Sequence, residues 1–349
     1  FLLLLLLLLL LLLILLLLSS FPALGRFQGA RLSRNQVQRW RRRSVLLAGL
    51  GLAGASLSSM ATLRRSPGDD QPSTATDADD NRERDAEAPL RLGWSAWADA
   101  EVVSLMAATL IESQLNVPVE RVMADIGIQY ESVARGDLDL MLMAWLPGTH
   151  RDYWARVRDR VLDLGPMYTG KLGWIVPDYV PKDVLNSVDQ LRDSELAARF
   201  DNRVQGIDPG SGLNQASLEA LKRYDLQQVD LVASSSAAMA AVLSQAINEK
   251  RWMIATSWTP HWMFARYGLR FLEDPKGVFG GTERIHAVSR INLDRVRPEV
   301  TAFLSRFHLP EQDLDGLLLK AQVGSPSAAV EDYLAENPER IRYWISGRV

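Results

Sequence analysis

The order of elements in this sequence restricts the fold more than any other feature. Residues 90–145 show the pattern strand, helix, strand, short helix, strand, and residues 203–258 repeat it. Each half closes on a buried strand followed by Trp-x-Pro, DLMLMAW (139–145) in the first and RWMIATSW (251–258) in the second. Alternating strands and helices form open, mostly parallel sheets with helices on both faces. We therefore predict an α/β fold with two lobes.

The remaining segments indicate how the lobes connect. Residues 171–181 form an extended crossover, 284–290 resemble another short strand, and 293–349 have a helical pattern that we expect to return to the first lobe. Two crossings make a two-lobed clamp. We assign 90–176 plus 283–349 to lobe I and 177–282 to lobe II.

The first 89 residues precede this fold. We interpret residues 1–65 as an export leader or membrane-like segment, because an arginine cluster precedes an apolar stretch and the small-x-small exit Ser59-Met60-Ala61. The segment is compatible with export by the secretory or the twin-arginine route, and also with an uncleaved membrane anchor. Within this segment, 49–54 match G-x-G-x-x-G, but lack the flanking strand and helix that a dinucleotide site needs. Residues 66–89 are acidic and nearly free of large apolar side chains, which predicts a disordered linker.

Composition excludes several classes of function. The chain has no cysteine, which excludes disulfides, thiol nucleophiles and lipid attachment through an N-terminal cysteine. A net charge of -3 gives no general reason to bind nucleic acid or acidic membranes. We expect no cofactor, no metal and a monomeric chain. The unusual count is ten tryptophans among 349 residues.

Three of these tryptophans lie where open α/β sheets bind ligands, beyond the carboxyl ends of strands. Trp145 and Trp258 end strands before proline, and Trp97 lies between the first strand and the first helix. A buried core position is the common alternative for any single tryptophan. Converging indole faces suit a quaternary ammonium, because that cation has no N–H to donate and is attracted to the π face.

An anion site is suggested by GIDPGSGLNQAS (206–217), which links a strand to a helix. Glycines leave backbone N–H groups approachable, and a helix N-terminus favours negative charge. A plain glycine-rich turn is the alternative. His150 could add a donor, or lie on the surface. Together these features predict a small zwitterionic ligand.

The segments SAWADAE (95–101), DLMLMAWLPGTH (139–150), GIDPGSGLNQAS and SWTPHWMFARYGLRFLEDPKGVFGG (257–281) resemble the glycine betaine/proline betaine substrate-binding proteins of ABC importers. The resemblance covers essentially all of 90–349. It implies the type II periplasmic-binding-protein fold with ligand in the cleft between the lobes, a periplasmic location, and permease and ATPase subunits as partners. It places an ammonium cage on Trp97, Trp145 and Trp258, and carboxylate contacts on His150 and on the backbone N–H groups of Gly206 and Ile207.

Three other functions compete with this interpretation. An enzyme could draw an acid/base pair from Asp99 and Glu101, but these residues more simply cap a helix and carry surface charge. A ligand-sensing partner of a signalling protein would use the same fold and site. A binder of choline, carnitine or ectoine would use the cage differently, and choline would leave the predicted carboxylate site empty.

Overall fold

The computed structural model describes residues 88–348. The predicted export leader (1–65) and nearly all of the predicted linker (66–89) lie outside the described residues. Within the described range, no helix combines the length and apolar character needed to cross a bilayer.

The first half of the fold is a small parallel sheet with helical crossovers. Its strands have the spatial order β2-β1-β3. All residues of β3 are buried, which explains its continuous apolar run, since a strand covered on both faces needs no polar alternation. The elements are β1 (Leu90–Trp94), α1 (Ala98–Leu115), β2 (Val119–Met123), α2 (Ile126–Arg135), β3 (Leu140–Leu146) and α3 (Arg151–Val157).

A long strand then leaves this half. β4 (Val161–Pro177) has 17 residues, whereas the sequence predicted an extended segment only from 171. Its first part escaped sequence analysis because Gly165 and Pro166 interrupt the strand pattern. The structure accommodates them with irregular register on either side, and Gly165 has a φ of 102°, a conformation that favours glycine.

The second half repeats the first in outline. Its parallel strands have the order β7-β5-β6. Serine side chains cap two of its helices: Ser211 accepts a hydrogen bond from the Asn214 N–H, and Ser235 from the Ala238 N–H. The elements are α4 (Ser194–Ala198), β5 (Arg203–Gln205), α5 (Gly212–Arg223), β6 (Asp230–Val232), α6 (Ser236–Asn248), β7 (Ile254–Thr259), α7 (Trp262–Arg266) and β8 (Leu269–Phe271).

Strands β4 and β9 (Glu283–Arg290) join the two halves. β9 lies antiparallel between β3 and β4, and β4 continues past it to pair with β7 over 171–175. The described strands therefore form one nine-stranded sheet in the order β2-β1-β3-β9-β4-β7-β5-β6, with β8 beside β4. The chain passes between the halves through these two antiparallel strands.

The C-terminal part is helical, as the sequence predicts. Helices α9, α10 and α11 pack against α1 of the first half, and α10 also contacts α7 of the second. Trp344 of the last helix is buried against Phe307. The helices are α8 (Leu293–Val296), α9 (Pro298–Leu304), α10 (Glu311–Val323), α11 (Pro326–Glu336) and α12 (Pro338–Ser346).

Candidate functional site

Trp97, Trp145 and Trp258 line one cavity, although they come from three separated parts of the chain. Trp97 precedes α1, Trp145 lies in β3 and Trp258 lies in β7. Each is at most 8% exposed. The remaining lining residues are Thr149, His150, Leu172, Ile207, Ser211, Gly212 and Leu213. We call the three tryptophans the cage.

Aspartates hold two of the cage tryptophans. The Trp97 Nε1–H donates to Asp208 Oδ2 at 3.0 Å, and the Trp258 Nε1–H donates to Asp99 Oδ1 at 3.0 Å. An indole has a single N–H, so these bonds fix the orientation of each ring. Sequence analysis assigned neither aspartate to the site.

The expected capping role of Asp99 is wrong. α1 begins after Trp97 without a side-chain cap, and Asp99 lies fully buried in the first helical turn. Its second oxygen accepts a hydrogen bond from the Tyr168 hydroxyl at 2.9 Å. Burial raises the pKa of Asp99 to about 6, because desolvation outweighs the stabilisation of the carboxylate by its donors.

Trp145 is held by packing against β4. A Cβ at Gly170 would lie 2.5 Å from Trp145 Cη2 and 2.6 Å from the Thr259 carbonyl oxygen, so only glycine leaves room for the indole there. The peptide bonds before both corner prolines, Leu146–Pro147 and Thr259–Pro260, are cis.

His150 is buried beside Trp145 and lines the cavity. Its Nδ1 accepts a hydrogen bond from the Trp145 N–H at 3.1 Å. Burial lowers the pKa of His150 to about 3, so the ring is neutral near pH 7. Because Nδ1 accepts, the neutral ring carries its proton on Nε2. The adjacent Cδ2 faces Gly212, where an added Cβ would be 3.0 Å away.

A buried carboxylate supports the turn that carries His150. Glu283, at the start of β9, accepts hydrogen bonds from the Gly148 N–H at 3.1 Å and the Thr149 N–H at 3.2 Å. The His150 N–H closes the turn by donating to the Trp145 carbonyl at 3.0 Å. The joining strand β9 therefore helps to position a residue of the cavity wall.

The N-terminus of α5 faces the same cavity through Ser211, Gly212 and Leu213. The first N–H groups of a helix have no intrahelical partner, and they lie at the positive end of its dipole. α5 has twelve residues, so its dipole is well developed. This end of the cavity suits an anion, in line with the anion site expected from 206–217.

Gly206 and Ile207 differ in their placement. Ile207 lines the cavity, whereas Gly206 is not among its lining residues. The Gly206 N–H donates to the Val232 carbonyl at 2.8 Å, so it continues the pairing of β5 with β6 past the last paired residue of β5, Gln205. The structure thus brings five of the six predicted site residues together and uses the N–H of the sixth within the sheet.

Among residues 88–348, no cluster of histidine, aspartate and glutamate could hold a metal ion.

Residues 88–336 match the family described as the substrate binding domain of ABC-type glycine betaine transport systems. The match covers most of the chain, which therefore belongs to this family. Its members are transport substrate-binding proteins and not enzymes, and they lie outside the cytoplasm, free or as lipoproteins. The expected type II periplasmic-binding-protein fold is confirmed.

Individual proteins show the same likeness. The glycine betaine/carnitine transport binding protein GbuC of Listeria monocytogenes is 35% identical over 156 residues, 44% of this chain and 52% of that protein, so the chain matches about half of that relative's length. Lactococcal OpuAC, solved in its closed form with glycine betaine, is 32% identical with a TM-score of 0.68, covering 74% of this chain and 99% of that one. The glycine betaine/L-proline-binding protein ProX of Borrelia burgdorferi is 26% identical with a TM-score of 0.69, covering 74% and 97%.

Proposed function

We propose that this chain is the substrate-binding component of an ABC importer and that its ligand is glycine betaine or proline betaine. The observation that carries the proposal is the single cavity that joins three buried tryptophans to a helix N-terminus and a neutral histidine. Such a cavity has an aromatic end for a cation and a donor-rich end for an anion.

The cage accounts for the cationic end of the ligand. A quaternary ammonium carries methyl groups instead of N–H groups, so it gains from aromatic faces and loses little hydration on burial. Each tryptophan face contributes about 0.5–2 kcal/mol to the binding of a desolvated cation. The Asp99 and Asp208 carboxylates, which accept hydrogen bonds from the Nε1–H groups of Trp258 and Trp97, add negative charge to this end.

The carboxylate of the ligand is assigned to the opposite wall. The Ile207, Gly212 and Leu213 N–H groups and the His150 Nε2–H are the donors proposed there. A neutral histidine is suited to this role because it donates one hydrogen bond without adding a buried charge. The Gly206 N–H, which the family resemblance suggested, could bind the carboxylate only by giving up its hydrogen bond to the Val232 carbonyl.

Transport function follows from closure of the cleft. We assign lobe I to 90–170 plus 283–349 and lobe II to 171–282, six residues earlier than the boundary expected from the sequence, because β4 pairs with β9 up to Gly170 and with β7 from Lys171. The proposed hinges lie near 170–171 and at the start of β9. A ligand that contacts both lobes favours the closed form. The closed protein then docks as a monomer on the permease, which works with its ATPase. The leader-like sequence before residue 66 supports export to the periplasm.

Calorimetric titration of the protein with glycine betaine, proline betaine, carnitine and choline, with tryptophan fluorescence recorded alongside, tests the proposal. Micromolar betaine binding with a fluorescence change and weak choline binding is expected. Absence of betaine binding would reject the proposed ligand, and tighter choline binding would reject the carboxylate site. A ligand-sensing role would give the same titrations, but the protein would then fail to stimulate ATP hydrolysis by the permease–ATPase complex.

A further inference from the structure

The two tryptophan–aspartate pairs of the cage each join opposite halves of the fold. Trp97 belongs to the first half and its partner Asp208 to the loop between β5 and α5 of the second. Trp258 belongs to the second half and its partner Asp99 to α1 of the first. We call these bonds the cross-cleft pairs. They are reciprocal, because each half supplies one indole and one carboxylate.

We propose that Asp208 and Asp99 are positioning residues that complete the cage only when the cleft is closed. The inference rests on the proposed function and extends it. Neither aspartate is required to touch the ligand, since each acts through the tryptophan that it holds.

The physical basis is the direction of the indole N–H. The face of an indole must lie over a cation to attract it, whereas its edge repels the same charge. A hydrogen bond from Nε1 to a carboxylate is charge-assisted and therefore stronger and more directional than one to a neutral acceptor. If the cleft opens, Trp97 and Trp258 lose these acceptors, and their rings are free to leave the orientation that a cation needs.

The loop that carries Asp208 is held against the first half at a second place. The Tyr153 hydroxyl donates to the Gly210 carbonyl at 2.9 Å, and the Gln215 Nε2–H donates to the Tyr153 oxygen at 2.9 Å. Tyr153 in turn stacks on Tyr130 at 5.7 Å between ring centroids. Asp208 is thus presented to Trp97 by a loop whose contacts also depend on closure.

The Asp208 side chain can be replaced without disturbing the core, because it is only partly buried. Within residues 88–348, the Asp208 carboxylate accepts its hydrogen bond from the Trp97 Nε1–H. Asp208→Ala is expected to weaken glycine betaine binding about tenfold, the usual scale for losing one charge-assisted hydrogen bond, with Asp208→Asn intermediate. The urea midpoint of the ligand-free protein is expected to stay unchanged.

A double-mutant cycle separates positioning from general electrostatics. Trp97→Phe keeps an aromatic face but has no N–H, so Asp208→Ala should cause no further loss in that background. Asp125→Ala is the matched control, because Asp125 lines the same neighbouring cleft as Asp208 but is exposed and makes no hydrogen bond to the cage. Equal losses from Asp125→Ala and Asp208→Ala, or additive losses in the cycle, would overturn the proposal.

Closure can be measured independently of ligand. Since the chain has no cysteine, Ile128→Cys and Leu218→Cys place two spin labels at exposed sites on opposite halves. Asp208→Ala should reduce the short-distance population in the absence of ligand, and Asp125→Ala should not. An unchanged distance distribution would refute the cross-cleft role. Failure of the unmodified protein to bind any betaine would refute the proposed function instead and would leave this distance measurement valid.

Discussion

Gly212→Ala should weaken ligand binding while leaving the ligand-free protein as stable as before, or more so. Gly212 is the first residue of α5 and faces Thr149 and His150 of the opposite half. An added Cβ would lie 2.4 Å from Thr149 Cγ2, 2.9 Å from the Thr149 carbonyl oxygen and 3.0 Å from His150 Cδ2. Non-bonded carbon atoms prefer separations of about 3.5–4.0 Å.

The size of the effect follows from which of these neighbours can move. The Thr149 methyl group can rotate away, but the Thr149 carbonyl belongs to the turn that Glu283 holds through two backbone N–H groups. Relief therefore requires the halves to separate. Overpacking typically costs about 1–3 kcal/mol, and here the cost falls on the closed form alone. Since about 1.4 kcal/mol is a factor of ten, the dissociation constant should rise about 5- to 150-fold.

Stability should change in the opposite direction. Replacing a helical glycine by alanine stabilises a helix by up to about 1 kcal/mol, and the open form has room for the new methyl group. Calorimetric titration with glycine betaine and urea unfolding of the ligand-free protein measure the two quantities. Gly210→Ala is the matched control, because nothing lies within 4 Å of a Cβ at Gly210. If Gly212→Ala and Gly210→Ala bind betaine equally well, the close approach of α5 to Thr149 does not limit closure.

Three further predictions concern single side chains. Trp145→Ala should weaken betaine binding by about 1–3 kcal/mol through lost cation–π attraction and packing, and unchanged affinity in a titration would remove it from the cage. His150→Ala should weaken betaine binding more than choline binding, and equal losses would refute its role at the carboxylate. Burial raises the pKa of Asp99 from 3.8 to about 6, so its stabilising contribution is complete below the unfolded value and is lost as the pH rises through the folded one. In urea unfolding, the stability of the wild type relative to Asp99→Asn should fall by about 2 kcal/mol from about pH 4 to pH 7, and a constant difference would contradict the raised pKa.

The parts of the fold that the sequence predicts well are those set by local pattern. The apolar run of β3 follows from neighbouring residues, and the structure confirms it as a strand in which every residue is buried. The tryptophans of the two Trp-x-Pro corners were expected at one side of the sheet, and Trp145 and Trp258 do line one cavity. For these two residues, the position at the end of a strand was enough to predict where the side chain lies.

The missed features depend on partners that are distant in sequence. Asp99 lies in a first helical turn, where a local interpretation favours surface charge, but its hydrogen-bond donors are Tyr168 and Trp258, which are 69 and 159 residues away. Asp208 lies in a glycine-rich loop whose local sequence gives the carboxylate no role, since its donor Trp97 lies 111 residues earlier. The pairing of the Gly206 N–H likewise depends on how far β6 extends, which the loop sequence does not encode.

The reciprocal arrangement of the cross-cleft pairs explains how a permease could distinguish ligand-bound protein by its closed conformation. A cage built within one lobe would hold an ammonium equally well whether the cleft is open or closed. Ligand occupancy would then be independent of the protein's conformation. Trp97 and Trp258 come from opposite halves, and each is oriented by a carboxylate of the other half. A cation that requires both faces can be held tightly only after both pairs have formed. We therefore expect affinity and closure to be coupled through the same two hydrogen bonds, and a ligand lacking a quaternary ammonium to leave the closed form less populated even if its carboxylate reached α5.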